Sequence, residues 1–447
     1  MRARTGRPRT NRRTKRRSEP GPSALRVYGH TLGCRLNSYE TEALLSRFTH
    51  DCGAEVASRP EEADVVLVNT CAVTTRAQAR SRKYVRSAAR RLDALVVATG
   101  CVAEISPSDF EGRNVLVVPN RSKENLIGVV AEALGMHTRE PEPTRPGTIF
   151  PGSAPVRGRR SRAFLKIQDG CDNRCSYCVV PLARGPSRSQ PREVVIEQAA
   201  ALRDDGGYRE IVLTGVDLTS YGRDLYGDGY GLPELARDLL RLGGFRLRIS
   251  SLEPIGLRED TVKRLALPGV CRHFHLALQS GSDRILRRMG RRYTAADAER
   301  ILRCYTESFP GVSIGMDVIV GFPGETEDDF GRTVELACNP AVGYLHVFPF
   351  SARPGTEAAE LVDRMLPPSV ITHRAAIMRS ISGKARMRFR NRMMGTDSLI
   401  LVEDRVYEEA LVGLTDNYIP LKAPPGSREG QIRPVRINRE NVCWGLR

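Results

Sequence analysis

No apolar stretch in this 447-residue sequence approaches the roughly eighteen residues needed to cross a bilayer. The N-terminus is basic and has no apolar segment behind it, which argues against a secretory signal. Eleven cysteines, an odd number without export signals, argue against a disulfide framework and for thiolate chemistry in a reducing compartment. A cytoplasmic location is expected. Acidic residues are short of balance, 52 against 69 lysines and arginines, for a formal net charge of +17. The excess favours polyanionic partners, nucleic acid above all, because each phosphate neutralised releases counterions. A solvated basic surface in a chain that uses arginine everywhere is the plainer alternative. The hydrophobic fraction of 40% suffices for buried cores, and the length calls for about two to four domains.

Residues 1–23 hold nine lysines or arginines among the first seventeen, no acid there, and almost nothing apolar. Such a segment cannot bury enough surface to fold and is expected to be a disordered basic arm. From Leu25 short apolar runs alternate with amphipathic segments. Leu25–His30, Asp64–Asn69, Ala94–Ala98 and Asn114–Val118 read as buried strands. The helix after the first begins near Ser38, with Asn37 and Glu40 at capping-box spacing and Gly53 to end it. This alternation predicts a doubly wound parallel sheet. Residues 140–160, rich in Pro, Gly and Arg, read as a linker.

The next unit repeats the alternation, with strands expected at Phe164–Ile167, Ile211–Thr214, Arg246–Ser251, Phe274–Gln279, Ser313–Val320 and Tyr344–Phe350. Six strand–helix steps predict a partial (βα)6 barrel, whose sites gather at the strand C-termini. A long arginine-rich helix, about Pro368–Arg392, follows. Ser398–Glu403, Tyr407–Leu414, Ile419–Leu421, Ile432–Ile437 and Val442–Trp444 are then short strands between turns. They fit a small all-β, OB-like barrel, a common RNA-binding platform. The fold class expected is therefore multidomain α/β with a C-terminal all-β unit.

Cys171-Asp-Asn-Arg-Cys175-Ser-Tyr-Cys178 carries the chemistry. Three thiolates in one loop after a strand can grip three irons of a cubane cluster. The fourth iron is left open, as a metal centre requires to bind and activate a substrate. S-adenosylmethionine, chelating through its amino and carboxylate groups, is the expected ligand. Zinc would want a fourth Cys or His, and no suitable one lies nearby in the sequence. Cys34, Cys71 and Cys101 form a second constellation, each just after a predicted strand of the first unit. In a parallel sheet the strand C-termini share one edge, so three such cysteines can converge on a second cluster. Coincidental burial of small apolar residues is the alternative. Gly33 and Gly100 would permit close backbone approach there. Cys52, Cys271, Cys304, Cys338 and Cys443 show no arrangement and read as buried packing residues. Gly227–Gly231 is glycine-rich but lacks a phosphate-loop pattern.

From about Leu25 to Arg447 the chain resembles the radical-SAM methylthiotransferases. The resemblance rests on the Cys171–Cys178 motif combined with Cys34, Cys71 and Cys101. It implies two 4Fe-4S clusters, the second held by the latter three cysteines, and a C-terminal TRAM domain. Thr31-Leu-Gly-Cys34-Arg-Leu-Asn37 looks like the MtaB-type tRNA branch. That branch adds a methylthio group to C2 of N6-threonylcarbamoyladenosine beside the anticodon. The isopentenyladenosine and ribosomal-protein branches are the alternatives. The resemblance implies two molecules of S-adenosylmethionine per product, one methylating sulfur and one yielding a 5′-deoxyadenosyl radical. By likeness Gly215, Glu253, Gln279 and Asp317 would line the cofactor site, where tight turns and caps of any βα barrel are the plainer reading. The domains expected are 24–139, 161–385 (radical-SAM) and 386–447 (TRAM). Partners expected are the tRNA anticodon stem-loop, an electron-donor protein and a sulfur donor that the sequence does not identify. Basic segments Arg76–Arg91 and Arg284–Arg292 are candidates for tracking phosphates.

Overall fold

The computed structural model describes residues 24–136 and 160–446. The expected basic arm and nearly all of the expected linker lie outside them.

Five parallel strands form the first sheet: β1 (Arg26–Thr31), β2 (Glu55–Val56), β3 (Val65–Thr70), β4 (Leu95–Gly100) and β5 (Val115–Val117). Their order is β2-β1-β3-β4-β5. The apolar run Val65–Val68 is buried on both faces, as central parallel strands require. Val65 and Leu67 pack with Leu44 and Phe48 of α1 (Arg35–Cys52). Val66 and Val68 point the other way, onto Val85 and Ala88 of α2 (Thr75–Arg91). Period-two alternation thus gives the sheet two helix-covered sides, the doubly wound arrangement expected.

Helix α1 corrects one expectation. It starts at Arg35, with Cys34 as an extended N-cap that makes no side-chain cap bond. Asn37 and Glu40 are no capping box. The Asn37 amide donates to the carbonyls of Leu32 (2.8 Å) and Thr70 (3.0 Å), tying the turn to β3. Glu40 is buried among cations. The helix ends at left-handed Gly53, as expected.

The second unit is a run of parallel strands in sequence order: β6 (Ala163–Lys166), β9 (Glu210–Thr214), β10 (Arg246–Ile249), β11 (Ser251–Leu252), β12 (His273–Gln279), β13 (Ser313–Val320) and β14 (Val342–Pro349). A short hairpin, β7 (Gln168–Asp169) with β8 (Arg188–Ser189), follows β6. The expected strand Arg246–Ser251 is broken at Ser250, which divides the hydrogen-bonded ladder into two sheets. Leu247, Ile249, Phe274, Leu276, Ile314 and Met316 pack with the surrounding helices in one large core. The alternate residues, Arg248, His273, His275, Asp317, Tyr344 and His346, meet one another on the opposite, concave face.

The long helix Pro368–Arg392 forms with the bounds expected. Beyond it, β15 (Asp397–Tyr407), β16 (Ala410–Thr415), β17 (Pro420–Lys422) and β18 (Ile432–Arg436) pair antiparallel in the order β17-β16-β15-β18. The fifth expected strand, Val442–Trp444, contributes one bridge, Val442 to Leu421, and no ladder. Ile400, Val402, Leu421 and Ile437 fill the sheet's own core with Phe389 of the long helix.

Polar seams join the three units. Glu40 of α1 receives Lys123 (2.7 Å) from its own unit, and Lys166 (2.9 Å) and Arg184 (2.8 Å) from the next. Arg353, after β14, donates to Gln78 of α2 at 2.6 Å. At the N-terminal ends of β10 and β12, Arg246 donates to the carbonyls of Leu399 and Leu414, and Arg272 pairs with Asp416 at 2.6 Å.

Candidate active site

The loop from Cys171 to Val179 leaves β7 through Gly170, whose φ is +70°. A Cβ there would lie 1.8 Å from the Pro186 carbonyl oxygen, so only glycine lets the strands close under the loop. Backbone bonds pin the rest. Cys171 N–H donates to Gly185 O (3.1 Å), Ser176 N–H to Met289 O (3.1 Å), and Cys178 N–H to Cys175 O (3.0 Å). The Ser176 hydroxyl donates to Arg288 O at 2.8 Å. The loop is thus held at both flanks before any metal arrives.

All three cysteines are free thiols. Burial pushes Cys171 up to about 11 and Cys178 up to about 12, and the neighbouring thiols add to the rise. Cys175 is raised by burial too, with the Arg291 guanidinium opposing. Arg291 pairs with Glu253 and donates to the Tyr177 hydroxyl beside this loop.

The second set gathers at the C-terminal edge of the first sheet. Cys34 follows β1, Cys71 follows β3, and Cys101 opens α3 (Cys101–Ile105) directly after β4. Gly33 has φ +100°, and a Cβ on it would lie 2.4 Å from Cys71 Sγ. Gly100 has φ +95°, and its Cβ would meet the Thr70 carbonyl at 2.4 Å. Both glycines are therefore required for the three turns to converge. Burial lifts Cys71 to about 12, reinforced by Cys101 and Cys34. Cys34 keeps accessible surface at the rim, yet its sulfur is crowded enough that its thiol also sits above the ordinary value.

Both trios fit a multi-iron cluster better than a single ion. Tetrahedral zinc–sulfur bonds of about 2.3 Å would bring thiolates within about 3.8 Å of each other. Among the described residues, His275, Asp317 and His346 form the one ligand trio with all donors within 4.8 Å. Neither cysteine trio is drawn in that far. Each would hold its thiolates apart around a larger cationic core, whose charge favours the thiolate form.

The cofactor-lining candidates fall at different depths. Gly215 follows β9, and a Cβ there would press on Leu218 (2.7 Å) and the Gln168 amide oxygen (2.9 Å). That oxygen accepts the Val216 and Asp217 N–H groups. Glu253, just after β11, is pushed up by burial and lies near enough to raise Cys171. Gln279 ends β12 at φ +66°, beside a register shift. Asp317 is not at a strand end as expected. It sits in mid-β13, with His275 Nε2 at 3.4 Å and His346 Nδ1 at 3.3 Å. Of the basic segments, α2 exposes Arg76, Arg80, Lys83, Arg86, Arg90 and Arg91. Arg291 instead turns inward, and Arg284 pairs with Asp329. Sequence reasoning missed Glu40, Lys166, Asp169 and Arg184, the ion network beside the second trio. Glu40 betrayed itself only by a spacing that also marks a helix cap.

A parallel βα array with a three-cysteine loop at its C-terminal edge defines the radical-SAM class of enzymes. The profile of the radical SAM superfamily matches residues 165–337, and that of uncharacterized protein family UPF0004 matches residues 26–118. The threonylcarbamoyladenosine tRNA methylthiotransferase of Aquifex aeolicus is 36% identical over 92% of this chain and 100% of its own length. The Thermotoga maritima enzyme of that name is 34% identical over 91% of this chain and 93% of its own. A tRNA-2-methylthio-N(6)-dimethylallyladenosine synthase from Thermus thermophilus is 33% identical, covering 88% of this chain and 84% of its length. Among solved structures, the radical S-adenosylmethionine methyltransferase TsrM of Kitasatospora setae shares the fold, with TM-score 0.54 at 17% identity over 75% of this chain and 77% of that one. The chain belongs to the radical-SAM tRNA methylthiotransferase family.

Proposed function

We propose that this chain adds a methylthio group to C2 of N6-threonylcarbamoyladenosine, next to the anticodon of tRNA. The observation that carries this reading is the pair of three-thiolate sets on adjoining units, within a chain that aligns along nearly its whole length with threonylcarbamoyladenosine tRNA methylthiotransferases. The chain uses S-adenosylmethionine and 4Fe-4S clusters, with Cys171, Cys175 and Cys178 as ligands of one and Cys34, Cys71 and Cys101 of a second. Bound there, these groups would supply radical chemistry at an unactivated C–H bond and a methylthio group to replace the hydrogen.

The protein's own residues bind and orient. Ser176 and the backbone bonds to Gly185 and Met289 fix the first loop. Glu253, Gln279 and Asp317 offer polar contacts to the cofactor, and Gly215 the tight turn beside them. Arg291 holds Glu253 and Tyr177 in place. The exposed arginines of α2 supply the positive surface that RNA phosphates require. In finer terms, residues 24–139 are the methylthiotransferase domain, 161–385 a partial (βα)6 radical-SAM barrel, and 386–447 a TRAM domain that holds tRNA. No helix among the described residues is long and apolar enough to cross a membrane.

The likeness to the Thermus thermophilus synthase supports a second reading, with dimethylallyladenosine as substrate. Mass spectrometry of tRNA nucleosides from cells with and without the gene separates the two. Loss of 2-methylthio-N6-threonylcarbamoyladenosine, with its unthiolated precursor accumulating, is expected. An unchanged level in a strain that makes it overturns the first reading.

A further inference from the structure

Arg35 follows Cys34 directly and opens α1, yet its side chain leaves the first unit altogether. Its Nη2 lies 3.4 Å from the hydroxyl of Tyr418 in the C-terminal sheet. Its charge is felt at Tyr418, Tyr344, His273 and His275. Three units therefore meet at one guanidinium: the second cysteine trio on one side, the concave strand face and the C-terminal sheet on the other.

The cations around it are matched and Arg35 is not. Arg248 pairs with Glu210 at 2.6 Å, Arg291 with Glu253, and Lys166 and Arg184 with Glu40 and Asp169. Among the described residues Arg35 has no ion pair, and the long bond to Tyr418 is its one hydrogen bond. Asp317, on the same wall, has His275 Nε2 at 3.4 Å and His346 Nδ1 at 3.3 Å and forms no ion pair with Arg35. A half-buried guanidinium with free donors in fork geometry is suited to a carboxylate brought from outside.

The wall it faces is aromatic and polar. Tyr418 stacks on His273 with ring centroids 4.2 Å apart. His273 Nε2 and the Tyr344 hydroxyl are 2.9 Å apart. Tyr418 itself is held at φ +73°, a conformation that costs energy for a residue with a Cβ and marks a constrained position. A cavity of about 660 Å³, which Arg35 itself does not line, is bordered by Tyr344, His346, Phe348 and Tyr418 together with Arg379 and Arg386.

A threonylcarbamoyl group ends in a free carboxylate, whereas a dimethylallyl group carries no charge. We propose that Arg35 receives the carboxylate of the substrate's N6-threonylcarbamoyl group, and by that contact selects it over an uncharged N6 substituent. This rests on threonylcarbamoyladenosine being the substrate and assigns the residue that enforces it. Placed one residue from a ligand of the second cluster, Arg35 would also fix how far C2 lies from that cluster.

The test is equilibrium binding of holoenzyme to anticodon stem-loop RNAs carrying threonylcarbamoyladenosine, its methyl ester, dimethylallyladenosine or plain adenosine. Arg35→Gln should lose about 10- to 100-fold in affinity for the acid, the range of one charged hydrogen-bonded contact, with less than about twofold change for the other three. Arg35→Lys should recover part of the loss. Iron content and S-adenosylmethionine affinity should be unchanged in both variants. Equal weakening on all four RNAs would make Arg35 a phosphate contact and overturn the proposal. So would a loss of discrimination in Arg386→Gln but not in Arg35→Gln. If Arg35→Gln fails to fold, the wild-type enzyme still decides, because equal binding of acid and methyl ester rules the contact out. A wild-type enzyme that modifies only the dimethylallyl RNA overturns the substrate reading itself, and this proposal with it. Modification of the threonylcarbamoyl RNA with Arg35→Gln still selective overturns the proposal alone.

Discussion

Glu40 is the residue on which two units depend. It is buried, and burial alone would raise its carboxyl, but Arg184, Lys123 and Lys166 hold it well below the ordinary carboxylate range. Asp169, on the same cations, is depressed as well. Removing one member of such a cluster leaves buried charge uncompensated, so Glu40→Gln should destabilise the protein by about 3–5 kcal/mol, read from the denaturant midpoint. The sign with pH follows from the direction of both shifts. Carboxyls depressed by folding contribute stability in full above the ordinary carboxylate range, and lose it as pH falls through that range towards their folded values. Acid titration of the wild type should therefore show a stability loss from both carboxyls, of which Glu40→Gln keeps only the Asp169 share. At the cluster loop, Cys175→Ala should fold normally, since the loop is held by backbone bonds and by Ser176. It should lose one cluster's iron and all methylthiolated product, measured by iron assay and nucleoside mass spectrometry.

At the scale of elements, the turns after β1 and β4 decide whether the second trio forms. Gly33→Ala would place a methyl against Cys71 Sγ in a backbone conformation that alanine resists. It should halve the iron bound per chain while leaving the Cys171–Cys178 cluster's absorbance in place. Helix α2 should act through charge. Reversing exposed Arg80 or Arg90 should weaken binding to all tRNAs alike, and lower the salt dependence by about one unit for each phosphate no longer neutralised. The same elements show what was legible beforehand. β3 and β4 were readable because doubly buried parallel strands open on unbroken apolar runs. The cysteine sets were readable because one is local and the other falls after successive strands. Asn37 and Glu40 misled because capping-box spacing and a buried ion cluster look identical until the third dimension is known. The break at Ser250 and the missing fifth C-terminal strand were hidden because ladder formation depends on what lies alongside. Arg35 carried no periodic signal at all, since its partner Tyr418 is 383 residues away.

For the whole molecule, the C-terminal sheet is bound by backbone carbonyls that accept from Arg246 and Arg248, whose other partner is the buried Glu210. Deleting residues after 393 would leave Glu210 and its arginines facing solvent and remove Tyr418 from the concave face. Such a truncation should lower tRNA affinity and, independently, selectivity for the acidic nucleoside, measured by binding to the same stem-loop RNAs. The seam at Glu40 joins the first unit to the second with charge, beside the apolar packing of Val179 and Ala183 on Ala98 and Val102. Ions are held back from burial by their hydration, and that hydration becomes less favourable as temperature rises, whereas apolar attraction levels off. The gap between the two cysteine sets is thus kept in part by the kind of bond that warming weakens least, and their spacing should outlast the softening of the domain cores as the protein is heated.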